Sequence, residues 1–176
     1  HLWYRRQRQM CIRDRHEINE AQKEVFRVNE LDEGYIRPMC FYGSEGMGLR
    51  ADNLKVHCIV AAWEWPSYMS PEAFEKGINI KISSYKRETG NIVSRSKVIG
   101  NYVTSIMALQ EAMKEGYDEA LLLDDEENIS EGSGENFFIV KNKILFTPDL
   151  DASLDGITRK SIISLAEEVN LSLIHI

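Results

Sequence analysis

Ser94-Arg95-Ser96-Lys97-Val98-Ile99-Gly100-Asn101-Tyr102 is the stretch on which the reading of this chain turns. Ile92 and Val93 close an apolar run before it, and Gly100-Asn101-Tyr102 opens a helical pattern after it. A lysine at such a strand-to-helix crossing is fixed by backbone on both sides and partly withdrawn from water. Withdrawal disfavours the ammonium, lowers its pKa and frees the amine as a nucleophile, which a Schiff base with an aldehyde requires. Most lysines are solvated surface charges, so the segment alone does not make a site. Weight comes from a second stretch, Ile129-Ser130-Glu131-Gly132-Ser133-Gly134-Glu135-Asn136-Phe137-Phe138.

Downstream of the lysine, Asn101 to Lys114 carries Val103, Ile106, Met107, Leu109 and Met113 at helical spacing and closes at Gly116, a natural C-terminal cap. Glu119 to Asp124 is a short buried strand, and the acidic run Asp124 to Asn128 is a solvated hairpin tip without calcium-loop spacing. Asn136–Lys141 and Ile144–Thr147 pair as a hairpin around Asn142. Ser153-Leu154-Asp155-Gly156-Ile157-Thr158 leads into a helix to about Asn170, with Thr158 as its cap or in its first turn. Such a start offers free N–H groups and a favourable dipole to an anion; a plain capped helix reads equally well at this point.

Upstream, Ile78-Asn79-Ile80-Lys81-Ile82-Ser83 alternates as a half-buried strand, and the turn formers and aromatics from Trp63 to Gly77 read as a connection between two subdomains. Val56 to Trp63 is apolar on both faces, the mark of a central strand. Its His57 has no ligand partner at metal spacing and reads as a core or edge residue; no metal site is expected. Tyr35-Ile36-Arg37-Pro38-Met39-Cys40-Phe41-Tyr42 is an extended edge run. Arg37 in it is either a surface-pointing strand residue or a bidentate carboxylate ligand. Gly43, Gly46 and Gly48 follow, at a spacing that fits no nucleotide loop. Ile18, Ala21, Val25 and Val28 place one amphipathic helix over Glu17 to about Asn29, ended near Gly34.

The chain has 176 residues, 43% hydrophobic and 28% charged, the profile of a soluble globular protein. A net charge of -7 argues against nucleic acid or an anionic membrane as partner, and no apolar run reaches membrane-spanning length. Cys40 and Cys58 read as small core residues of a reduced, cytoplasmic protein. Five of the eleven arginines fall in residues 1–15, whose net charge is +4. That segment and Ser172-Leu173-Ile174-His175-Ile176 resemble translated adaptor strings, so 1–15 and 171–176 are expected to be non-native.

A lysine, a carboxylate motif and an anion-binding helix start are together what pyridoxal phosphate needs: an amine, a partner for the ring nitrogen and a phosphate cradle. Lys97 to Tyr102, Ile129 to Asn136, Leu154-Asp155-Gly156-Ile157-Thr158-Arg159 and Tyr35 to Pro38 resemble, in order and separation, the class IV aminotransferases of fold type IV. Tyr35 to Pro38 and Ala61 to Tyr68 look most like the branched-chain amino-acid aminotransferases, and the match covers about His16 to Asn170.

The resemblance implies an α+β (mixed α/β) fold of two subdomains: 16–64 in the small one, 65–77 connecting, and 78–170 in the large cofactor-binding one. It implies transamination of leucine, isoleucine and valine with 2-oxoglutarate and glutamate, through a pyridoxal 5'-phosphate Schiff base on Lys97. Tyr102 would hydrogen-bond the cofactor's phenolic oxygen, and Glu131 would pair with the pyridine nitrogen. Leu154 would pack on the ring, and Ile157 and Thr158 would bind phosphate. Tyr35 and Arg37 would lie in the substrate pocket, Arg37 receiving the glutamate side chain, and Trp65 and Tyr68 would wall the apolar part. It also implies a homodimer or higher homo-oligomer.

Aminodeoxychorismate lyase and D-amino-acid aminotransferase share the fold; Tyr35 to Pro38 favours the branched-chain enzymes, because it carries the arginine. Ile99 stands where the family has a small residue, with packing near the lysine expected to change. The family's upstream phosphate-binding arginine segment and its downstream Gly-Thr-Ala loop have no counterpart. The chain is therefore expected to be a fragment truncated at both ends, inactive alone.

Overall fold

The computed structural model describes residues 2–65, 67, 69–90 and 95–175, with side chains from residue 15 onward. The chain divides into two compact units, His1–Ser70 and Pro71–Ile176. The division falls inside the aromatic, turn-rich stretch read above as a connection.

The first unit is a long helix and a two-stranded sheet. α1 spans Leu2–Val28, about four turns longer than its apolar pattern indicated. No glycine or proline interrupts that span, so nothing in the backbone stops the helix at residue 16. β1 (Tyr35–Tyr42) and β2 (Val56–Trp63) pair antiparallel, with Tyr35 opposite Trp63 and Arg37 opposite Ala61. α1 packs against this hairpin. Gly34 makes the approach possible: at φ +156° its Cα lies so near Trp63 that an added Cβ would sit 2.5 Å from the Trp63 carbonyl oxygen.

Two expectations for this unit are corrected. β2, read as central, pairs with β1 alone among the described residues. Consequently Cys40 and Cys58 are exposed rather than core, facing each other across the hairpin with Sγ atoms 2.8 Å apart. Apolar content on both faces was a true signal of a strand, but it does not report what covers those faces. His57 stacks on Phe41 at 5.7 Å, with Nε2 3.6 Å from Glu45.

The second unit opens with α2 (Pro71–Lys76), a single helical stretch that the turn-rich composition concealed. β3 (Ile80–Arg87) and β4 (Glu119–Asp124) then lie parallel, joined by α3 (Tyr102–Lys114), and β5 (Ile129–Gly132) returns antiparallel to β4. The sheet order is β3-β4-β5, so β4 is central, and its Ala120, Leu121 and Leu122 are buried. The turn from Asp124 to Asn128 is held by Asp124 Oδ1, which accepts from the Glu126 and Asn128 amides at 2.9 and 2.8 Å.

α3 is where it was expected, but it presents another face. Ser105, Ala108 and Ala112 are buried against β3 and β4, while Val103, Ile106, Met107 and Met113 are exposed. Small residues allow close helix-to-strand approach, and that spacing won over the bulkier stripe. β3 alternates as expected with the opposite sense: Ile80 and Ile82 are exposed, and Lys81, Ser83, Tyr85 and Arg87 turn inward. The inward polar set has partners, since Glu111 on α3 accepts from Ser83 Oγ and the Ser84 amide, and Lys81 pairs with Glu115.

A second sheet follows in order β6-β7-β8. β6 (Ile139–Lys141) and β7 (Ile144–Thr147) form the expected hairpin, with Asn142 and Lys143 both in the left-handed region that such a tight turn demands. α4 (Ile157–Glu168) leads to β8 (Ser172–His175), parallel to β7. Setting residues 171–176 apart thus missed a strand, which Arg159 also touches through His175 Nδ1 at 3.1 Å. Among the described residues, no helix is long and apolar enough to cross a membrane.

Candidate active site

Lys97 follows a turn at Arg95-Ser96 and precedes a 3-10 turn, Ile99–Asn101, that runs directly into α3. The loop is tied to itself: Asn101 Nδ2 donates to the Ser96 carbonyl at 3.2 Å, and the Asn101 amide to the Val98 carbonyl at 3.2 Å. Gly100-Asn101-Tyr102 therefore serves to fix the lysine's backbone. Lys97 Nζ lies 5.9 Å from the Tyr102 ring centroid, at the limit of a cation–π contact. The expected withdrawal of Lys97 from water is corrected: the residue, which follows the turn at Arg95-Ser96, is exposed. Ile92 and Val93, the apolar run before it, lie outside the described residues. Ile99 is exposed and lines neither cavity described below.

Glu131 comes from β5, opposite Leu122 on the central strand, and is 7% exposed. Its Oε2 accepts from the Leu154 amide at 3.0 Å, and its Oε1 stands 2.9 Å from Arg87 Nε. Burial pushes the Glu131 carboxyl above its ordinary range, opposed by the Leu154 amide and by the charges of Arg87 and Lys97. Glu135 is also raised, first by burial of its carboxyl and then by neighbouring Glu119 and Glu131, against a bond from the Gly134 amide. Among the described residues, Glu131 has a cationic partner in contact, Arg87, and no ion pair is formed by Glu135.

Leu154 stands between Glu131 and α4. Asn136 Nδ2 donates to the Leu154 carbonyl at 3.0 Å, and Gly156 packs over that amide so closely that a Cβ there would lie 2.4 Å from Asn136 Oδ1. Gly156 is the N-cap of α4 and makes no side-chain capping bond; Ile157 and Thr158 open the first turn, both exposed. The N–H groups of that turn have no partner within the helix, and the helix dipole favours an anion beside them.

Two neighbouring cavities share Lys97, Glu131, Gly134 and Leu154 in their walls. One adds Arg87, Asn101, Tyr102 and Ser105; the other adds Arg95, Asn136, Gly156, Ile157 and Thr158. All six residues expected to bind the cofactor, Lys97, Tyr102, Glu131, Leu154, Ile157 and Thr158, thus line one or both. Among the described residues, no three His, Cys, Asp or Glu side chains converge as metal ligands.

The substrate-side residues lie in the first unit. Tyr35, Trp63 and Trp65 cluster with ring centroids 5.1 to 5.7 Å apart, and the Arg37 guanidinium lies 5.3 Å from the Tyr35 ring and 5.5 Å from Trp63. Tyr35, Arg37 and Trp65 are therefore brought together; Tyr68 lies outside the described residues. Trp63 joins them because it is the register partner of Tyr35.

Reasoning from sequence missed Arg87 and Ser105. Extending the alternation Lys81, Ser83, Tyr85 by one step reaches Arg87, and small-residue spacing on α3 points to Ser105. Both signals were present.

The family model for class IV amino-transferases matches residues 12–176. The branched-chain-amino-acid aminotransferase of Pseudomonas aeruginosa is 52% identical over 162 residues, 92% of this chain and 53% of that protein. Among solved structures, the branched-chain amino acid aminotransferase of Escherichia coli superimposes with a TM-score of 0.86 at 41% identity, over 91% of this chain and 54% of that one. The branched-chain aminotransferase of the thermophilic archaeon Thermoproteus uzoniensis, solved with norvaline, gives 0.82 at 35% identity, over 90% and 53%. The chain spans about half the length of the curated relatives it matches. Its helices and strands have the fold of those aminotransferases, the family match runs through every element that lines the two cavities, and the chain belongs to the class IV aminotransferases.

Proposed function

We propose that the protein transfers the amino group between branched-chain L-amino acids, leucine, isoleucine and valine, and 2-oxoglutarate, with glutamate as the other amino acid and pyridoxal 5'-phosphate as cofactor. The observation that supports this best is the convergence of Lys97, Glu131, Leu154 and the start of α4 on neighbouring cavities. Similarity to branched-chain aminotransferases at up to 52% identity supports the reaction class and the substrates.

The residues present fit the cofactor. Gly156 brings no side chain of its own to the start of α4, where a phosphate would sit, and Glu131 keeps lone pairs beyond those meeting Leu154 and Arg87. When bound, pyridoxal phosphate supplies an aldehyde carbon and a ring that withdraws electrons. The chain supplies the rest. Lys97 Nζ provides the attaching amine and then the base that moves a proton at the substrate Cα. Glu131 holds the proton on the ring nitrogen, and Tyr102 orients the ring through its phenolic oxygen. Leu154 excludes water from one ring face, and Ile157 and Thr158 hold the phosphate. Tyr35 and Arg37 serve the substrate pocket, Arg37 receiving the glutamate side chain, and Trp65 and Tyr68 supply its apolar wall. We further propose, on the family resemblance, that the protein is cytoplasmic and works as a homodimer or higher homo-oligomer.

The test is borohydride reduction of the full-length protein in pyridoxal 5'-phosphate followed by peptide mapping, beside an assay of its amino transfer from leucine to 2-oxoglutarate. A label on Lys97 is expected; a label on Lys81 or Lys86 instead overturns the site. Pyruvate release from aminodeoxychorismate without transfer from leucine overturns the substrate class in favour of the lyase.

A further inference from the structure

Glu131 is a carboxylate in a place that disfavours charge, and Arg87 is the residue that answers it. Arg87 ends β3, its side chain is 14% exposed, and its guanidinium is spent on three neighbours. Nη1 donates to the Asn101 carbonyl at 3.3 Å, and Nη2 to Ser105 Oγ at 2.9 Å on α3. Nε stands 2.9 Å from Glu131 Oε1, yet it is a buried atom without an aligned hydrogen-bond acceptor. The contact is therefore an ion pair held by the anchors on either side of it. The anchors also reach the lysine loop, because the Asn101 whose carbonyl binds Arg87 fixes the Ser96 carbonyl through its amide. One guanidinium thus ties the wall that carries Glu131 to the loop that carries Lys97.

We propose that Arg87 is a positioning residue for Glu131: anchored by Asn101 and Ser105, it keeps the Glu131 carboxylate charged and facing the cavity that Lys97 lines. This rests on reading that cavity as the pyridoxal phosphate site, where a neutral Glu131 could not hold a proton on the ring nitrogen. The other charges around Glu131 do not suffice. Lys97 from the loop before α3 attracts it, Glu135 from the segment after β5 repels it, and Glu119 on β4 faces Glu135. Burial is the largest influence on Glu131 and pushes it toward the neutral form. An exposed Lys97 can turn into solvent; the anchored Arg87 cannot.

The experiment follows the Glu131 carboxyl by carbon NMR in the isotope-labelled 176-residue chain, with Glu131→Gln assigning the signal. In Arg87→Gln the Glu131 midpoint is expected to rise by about one pH unit or more, since an adjacent opposite charge lowers a carboxyl by about one to three units. Ser105→Ala, which keeps the charge and removes an anchor, should raise it less. In the full-length protein, pyridoxal 5'-phosphate affinity should fall about tenfold in Arg87→Gln, with reduction still labelling Lys97. An unchanged Glu131 midpoint in a folded Arg87→Gln chain overturns the proposal. Should that variant fail to fold, Ser105→Ala and Arg87→Lys decide it by the same titration, an unmoved midpoint in both overturning it. Failure of the full-length wild-type protein to take up pyridoxal 5'-phosphate on Lys97 counts against the cofactor site, while the titration still reads the coupling of Arg87 to Glu131.

Discussion

Glu111 on α3 accepts a hydrogen bond from Ser83 on β3, Oγ to Oε2 at 2.5 Å, and the same oxygen accepts from the Ser84 amide at 2.9 Å. This is how a helix of small residues is fixed to a strand whose inward face is polar. The bonds from Ser83 and Ser84 lower the Glu111 carboxyl from its ordinary 4.5 to about 2, with Lys81 adding a smaller pull and burial opposing. A depressed folded-state pKa stabilises the fold above the unfolded value and stops doing so as pH falls through the folded one. Stability should therefore decline between about pH 4.5 and 2. Glu111→Gln should lose stability at neutral pH and flatten that decline, read as urea midpoints at pH 7, 4 and 3. An identical pH profile in the variant would remove Glu111 from the account.

Leu122 should be the most sensitive core position. It is fully buried on the central strand, in a cluster otherwise made of Ala108, Ala112 and Ala120. Alanines have little side chain with which to close a void, so Leu122→Ala should cost about 2 to 5 kcal/mol. Ala108→Leu should cost about 1 to 3 kcal/mol by the opposite route, forcing α3 off the sheet. Denaturant unfolding of the two variants checks both, and a near-neutral Leu122→Ala would mean the sheet relaxes more than this packing allows.

Glu131 and Glu135 sit four residues apart in one motif and should behave unequally. Glu131 meets Arg87 and the Leu154 amide and lines both cavities, whereas Glu135 lines one and is crowded by Glu119. Loss of a charge-assisted contact to the ring nitrogen should lower the rate of amino transfer on the order of 10² to 10³ for Glu131→Gln. Glu135→Gln should lower it far less. Equal or reversed losses would assign the ring nitrogen to the other carboxylate.

How much of this was legible follows from where each signal is stored. The lysine loop, the glutamate motif and the start of α4 stood out because each is a local pattern, and the fold brings the three to the walls of neighbouring cavities. The hairpin at Asn142 was readable for the same reason, as a tight turn favours the left-handed conformation Asn accepts. What failed was long-range. Val103, Ile106 and Met107 announce a helix, but which face is buried depends on the strands beneath, and Ala108 and Ala112 fit those better. Arg87 was missed because its meaning lies in Glu131, 44 residues away in the chain. β8 was set aside for its resemblance to a foreign string, although its alternation could have paired with β7.

Arg37 offers the sharpest separation of substrates. Its guanidinium lies over Tyr35 and Trp63, an aromatic setting that suits leucine and leaves one cation for a carboxylate. Both amino acids would present the same α-carboxylate and α-amine, so the difference between them lies wholly in the side chain. A site built to bind a charged group rejects its loss strongly, while an apolar side chain makes little use of the charge. Arg37→Ala should therefore weaken the half-reaction with glutamate by about tenfold to a hundredfold, the worth of one charge-assisted bond at about 1.5 to 3 kcal/mol. The half-reaction with leucine should change little, read by single-turnover absorbance with each amino acid in turn. A parallel loss for both would place Arg37 on the shared α-carboxylate and return the glutamate side chain to another residue.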